Sequence, residues 1–158
     1  MTDPRPPATL AILILAAGLG QVAAPARAQA LAVPDGRQVT VFGVLATPGQ
    51  AKDDPKLKAV LPQLRNLVPN HSFKLLKVES KRAIAGGIVR CDLGDGFVAS
   101  TALENALDIN GKVQLRFDLS VGGFSQYQTI VTTPPNQTFF INRMLPNGDR
   151  LVIGIGAR

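Results

Sequence analysis

His71 and Cys91 are the sole histidine and the sole cysteine of the 158-residue chain. A histidine can serve as a general base when a partner orients it. His71, however, follows Pro69-Asn70 in a segment that reads as a loop, where a solvated or capping imidazole is the ordinary role. Cys91 shares an alternating face with Val89 and Leu93, so the pattern predicts a buried thiol acting as a small apolar residue. A nucleophilic thiolate needs a base and an electropositive setting. Arg90 is adjacent in sequence, but neighbouring strand residues point to opposite faces. One His and one Cys do not make a standard zinc site. A single Cys also forms no internal disulfide, which leaves intermolecular pairing as its oxidised form.

The carboxylates offer little more. Asp92-Leu93-Gly94-Asp95-Gly96 has two acids among glycines, but it lacks the ligand count and closing Glu of a calcium loop. A tight hairpin turn explains it better. Asp53-Asp54 precedes Pro55, which is the signature of a helix cap with proline at the first helical position. No phosphate-binding glycine loop and no G-x-S-x-G motif occurs. No catalytic, cofactor-binding or metal-ligating residue is therefore selected, and no cofactor is expected. A cryptic hydrolase or accessory domain built on an unpaired Asp or Glu is the third-ranked reading.

The densest charge is basic. Residues 31–90 hold 10 Lys/Arg against 4 Asp/Glu, whereas residues 91–158 hold 5 against 6. Lys74, Lys77, Lys81, Arg82 and Arg90 form the core of the basic region, with Lys52, Lys56 and Lys58 nearby. Plain alternation puts Lys77 and Lys81 on one strand face, with Lys74 and Arg82 on the other. Two roles fit. Lysines on an edge strand block edge-to-edge aggregation. The same cluster also suits an anionic envelope polymer, such as lipopolysaccharide or an acidic polysaccharide. Nucleic acid is not expected, because the region has Phe73 as its only aromatic and the chain has no Trp.

The elements that must carry these residues are mostly strands. Lys112–Val121, KVQLRFDLSV, alternates apolar and polar residues without a slip, which predicts an antiparallel strand with one face on the core. Arg37–Ala46 places Val39, Val41 and Leu45 on one face and Phe42 and Val44 on the other. It thus reads as a strand covered on both sides, with Gly43 marking a bulge or a close approach. The phase slip between Phe73/Leu75 and Leu76/Val78 calls for a bulge near Leu75-Leu76. Leu57, Val60, Leu61, Leu64, Leu67 and Val68 give a helical stripe. Pro62 inside that stripe predicts a kink or two short pieces. Gly86-Gly87, Gly94-Asp95-Gly96, Asn110-Gly111, Gly122-Gly123, Pro134-Pro135-Asn136 and Pro146-Asn147-Gly148-Asp149 punctuate the rest. The sum is a mainly β (α+β) fold: an antiparallel meander of about seven or eight strands, as a sandwich or curved sheet, with one kinked covering helix at about 54–68.

The N-terminus reads as an export signal. Arg5 precedes a 12-residue apolar run, Ala8–Leu19, and Ala28-Gln29-Ala30 supplies a small-x-small cleavage pattern. That run is shorter than the roughly 20 residues a membrane span needs. Residues 1–30 are expected to be a signal peptide and 31–158 a single exported β-rich domain, periplasmic or extracellular, with no transmembrane segment. An uncleaved anchor is the alternative.

The ending GFSQYQTIVTTPPNQTFFINRMLPNGDRLVIGIGAR, within residues 122–158, resembles the β-hairpin pattern of the secretin domain of bacterial secretion pores. Asn136 and Asn142 stand where that pattern has glycines. The layout of a strand, an LPQL-containing helix and a β-meander is similar to that of small exported bacterial proteins. The resemblance implies a place in the cell envelope and brings no catalytic residue. The function expected from these features is a non-enzymatic exported envelope protein, a structural or protein-interaction module, with binding of an anionic polymer through residues 52–90 as the alternative.

Overall fold

A computed structural model describes residues 36–158. The expected signal peptide, residues 1–30, lies outside the described residues. Residues 36–158 form eight strands: β1 (Arg37–Pro48), β2 (His71–Ala83), β3 (Ile88–Gly94), β4 (Phe97–Asn105), β5 (Val113–Val121), β6 (Phe124–Thr133), β7 (Thr138–Met144) and β8 (Arg150–Ala157). They make two four-stranded antiparallel sheets, β2-β1-β8-β7 and β3-β4-β5-β6. The strands follow chain order around the sandwich and return from β8 to β1. The ladder is broken in two places, between β2 and β3 and between β6 and β7.

The regular alternation of KVQLRFDLSV becomes β5, an inner strand. Val113, Leu115, Phe117 and Leu119 are fully buried. They meet Val39, Val41, Ile153 and Ile155 of the facing sheet in the main core. β1 is covered on both faces, as its two apolar rows require. Its odd positions face that core. Val44 and Ala46 join Leu57, Leu64, Val68, Phe73 and Val152 in a second cluster on the outward side.

That second cluster is roofed by the helical segment, which comes as two short pieces. A 3₁₀ turn at Pro55–Leu57 is capped by Asp54, whose carboxylate accepts the Lys56 N–H at 2.9 Å. Helix α1, Leu61–Leu67, follows, with Pro62 in its first turn, where the missing N–H costs nothing.

The turns largely follow their residues. β3 and β4 join through Asp95 and Gly96, both at positive φ, and β5 and β6 through Gly122 and Gly123, also at positive φ. Asn110-Gly111 does not make the two-residue hairpin its sequence favours. The loop runs longer because the Asp108 carboxylate accepts N–H groups from both Asn110 and Lys112 at 2.8 Å.

Candidate functional site

Pairing in an antiparallel ladder sets which side chains share a face. β1 and β2 pair Leu45 with Lys74, Gly43 with Lys77, Val41 with Glu79 and Val39 with Lys81. The register shifts between Gly43 and Val44, so that Leu76 is the extra residue. The bulge falls where the phase slip placed it, with a consequence for the cations. Lys74, Lys77 and Lys81 all lie on the core-facing side of β2. Arg82, paired with Gln38, lies on the outward side. Lys74 and Arg82 therefore do not share a face, because the bulged residue inverts the alternation between them. Arg90 stands on the outward side of β3, alternating with buried Val89 and Cys91. All five cations are exposed. The structure brings three of them together and leaves Arg82 and Arg90 apart from that row.

β2 is an edge strand, which explains how lysines on a core-facing row stay in water. The bulge and the inward charges are both devices that stop an edge from pairing with another chain. Glu79 tempers the row, since its carboxylate lies 3.4 Å from Lys77 Nζ in an exposed pair. The same two residues, with Asp92, act on Cys91, a fully buried free thiol. Burial pushes that thiol above its usual range, Glu79 adds to the rise, and Lys77 partly offsets it. A thiol held in its protonated form is a poor nucleophile.

The remaining reactive side chains are engaged locally. Asp53 forms an ion pair with Arg65 at 2.7 Å, and its other oxygen accepts the Phe73 N–H at 3.0 Å. It thereby ties the helical segment to β2. His71 Nδ1 is 2.8 Å from the Pro69 carbonyl oxygen. His71, Asp53 and Arg65 line one open cleft of about 350 Å³. Asp92 accepts the Gly94 N–H at 3.0 Å within the β3–β4 turn. Among the described residues no three of His, Cys, Asp or Glu stand close enough to hold a metal ion.

The other break between the sheets exposes aromatic residues. On β6, Tyr127, Thr129 and Val131 face inward, paired with Leu119, Phe117 and Leu115. On β7, Phe139 and Ile141 face inward, paired with Ile155 and Ile153. Tyr127 is 38% exposed and Phe139 43% exposed, although both are on core-facing rows. They line a cleft of about 550 Å³ with Ile141, Arg143 and Met144. Tyr127 reaches Phe117 beneath it, with ring centroids 6.4 Å apart. Phe124 and Ile130 of β6 and Met144 of β7 are also exposed, with Ile130 on the outward row of β6. Alternation alone assigns Tyr127 and Phe139 to the core. Their exposure arises because β6 and β7, consecutive in sequence, end up on the edges of different sheets.

No family model, curated protein or solved structure matches this chain. Residues 122–158 contribute β6 to one sheet and the β7–β8 hairpin to the other. No described helix is long and apolar enough to cross a membrane.

Proposed function

We propose that this protein is a non-enzymatic exported module of the cell envelope, structural or protein-binding in role, acting through the β6–β7 side of the sandwich. The observation that carries this reading is the contrast between the two breaks in the ladder. One is lined by Lys74, Lys77, Glu79 and Lys81, and the other by Tyr127, Phe139 and Met144 together with Asn142 and Arg143. Exposed aromatic residues beside an arginine are the composition favoured at interaction surfaces. The N-terminal apolar run with its Ala28-Gln29-Ala30 ending and the secretin-like pattern of residues 122–158 support an envelope location. The test has two arms. The exported product should begin at Leu31. A photo-cross-linking residue at Phe139 should capture a protein in envelope fractions. A product retained in the cytoplasm, or no adduct from Phe139, would count against the reading.

One observation favours a second reading, the binding of an anionic envelope polymer. The Leu76 bulge aligns Lys74, Lys77 and Lys81 on one row, which concentrates positive charge beyond what the sequence alternation implies. Retention on heparin or lipopolysaccharide should then fall with salt and vanish when the three lysines become Glu. Retention that ignores both salt and the substitutions would exclude it.

A further inference from the structure

The outward face of the β1–β2 pair changes character along its length. Leu75 pairs with Val44 and Val78 with Phe42, whereas Ser80 pairs with Thr40 and Arg82 with Gln38. The apolar half is not closed. The Phe42 ring lies over Gly154 of β8, where a Cβ would meet it, and packs edge-on against Phe140 with centroids 6.0 Å apart. It thus leans away from β2 and leaves Val78 51% exposed. The space so opened is an apolar pocket of about 290 Å³, walled by Phe42, Leu75 and Val78 of the sheet and by Leu57 and Val60 of the helical segment. Lys56 also lines it, and a lysine's methylene stem packs on apolar surface while its ammonium stays in water.

Phe42 is also a wall of a polar cleft of about 370 Å³, lined by Gln38, Thr40, Ser80 and Thr138. The Thr40 and Ser80 hydroxyls are 2.7 Å apart, and the Gln38 amide donates to Ser80 at 2.9 Å. An apolar pocket and a hydrogen-bonding cleft that share one aromatic wall match a molecule with one apolar and one polar part. Small-molecule pockets run about 300–1,000 Å³, so the two compartments together take one small ligand. Charge selects its head. Among the described residues no Asp or Glu side chain lines either compartment. Arg158 lines the cleft, Arg82 follows Ser80 on the outward row, and neither forms an ion pair with a described residue. The geometry points to a binding site for a single-chain amphiphile with an anionic head. Its alkyl chain lies in the pocket between Phe42, Leu57 and Val78, and its head lies in the cleft beside Thr40, Ser80 and Arg82. This site is on a different face from the β6–β7 opening and from the lysine row, and it does not rest on either reading above.

The test is isothermal titration of the purified protein with straight-chain fatty carboxylates, from caproate to palmitate, each below its micelle concentration. Binding should saturate with a single molecule bound. Affinity should rise about fourfold per methylene until the pocket is full, and then level off. Val78→Asp puts a charge where the alkyl chain lies and should weaken laurate about tenfold or more, with melting close to the parent because the position is exposed. Arg82→Glu should weaken laurate about tenfold and leave lauryl alcohol unchanged. Ile130→Asp, at an exposed apolar position on β6, should bind laurate like the parent. Dodecyl phosphate titrated beside laurate separates the two anionic heads, the tighter one marking the head the cleft is built for. No saturable binding at any chain length overturns the proposal, as does affinity that climbs without levelling or a Val78→Asp variant that binds like the parent. Equal losses of laurate and lauryl alcohol in Arg82→Glu would overturn the anionic head.

Discussion

Leu93 of β3 fills the space that a side chain at position 43 of β1 would need. A Cβ built on Gly43 meets the Leu93 δ-methyl groups. The two residues belong to different sheets, so their contact sets how closely β1 and β3 approach beside the β2 edge. Gly43→Ala should therefore overpack this part of the core and cost about 1–3 kcal/mol. Denaturant unfolding measures that loss. Pairing the substitution with Leu93→Ala should recover part of it, giving a double variant less damaged than the sum of the two singles. Strict additivity would mean that the two positions do not touch.

Thr101 lies at the centre of β4, fully buried, and its hydroxyl has no hydrogen-bond partner. A buried polar group left unpaired costs about 1–3 kcal/mol. Thr101→Val keeps the shape and removes the hydroxyl, so it should raise stability by about 1 kcal/mol. A melting temperature below the parent's would show that the hydroxyl is satisfied.

Asp53 has two distinct attachments, and they should separate energetically. Arg65→Ala removes only the ion pair, whose arginine is largely exposed, and should change stability by less than about 1 kcal/mol. Asp53→Ala also strips the Phe73 N–H of its acceptor and should cost about 1–3 kcal/mol. Equal losses in urea titrations would contradict this division.

Cys91 provides a pH test. Its thiol keeps its proton to higher pH in the folded state than in the unfolded chain, because burial and then Glu79 oppose the thiolate. The unfolded chain thus releases its proton first. Stability is full below the ordinary thiol range and falls as pH rises through it. Cys91→Ala should lack that component of the decline. The native protein should also resist thiol reagents that label it fully once unfolded.

Much of this fold is legible in local pattern. β5 announces itself because a strand with one buried face must alternate, and Phe117→Asp should unfold the domain by burying a charge without a partner. The Leu76 bulge shows as a phase slip, and Pro62 shows as a break that resolves into two helical pieces. The shared face of Lys74, Lys77 and Lys81 is harder to read, since one extra residue inverts every side chain beyond it. The exposed aromatics of the β6–β7 opening escape notice for a different reason. Tyr127 and Phe139 sit on rows that alternation assigns to the core. Only the non-local pairing of β8 with β1, which places β7 at the far edge of its sheet, leaves them open to solvent.

The most direct measurement is site-specific photo-cross-linking in intact cells that produce the protein, comparing a probe at Phe139 with one at Val78. Both positions are exposed and apolar and lie on edge strands of the same sheet, but at opposite ends of its strand order. An interaction surface on the β6–β7 side predicts discrete protein adducts from position 139 and few from position 78. Equal adducts from both positions, or none from Phe139 in properly exported protein, would contradict it.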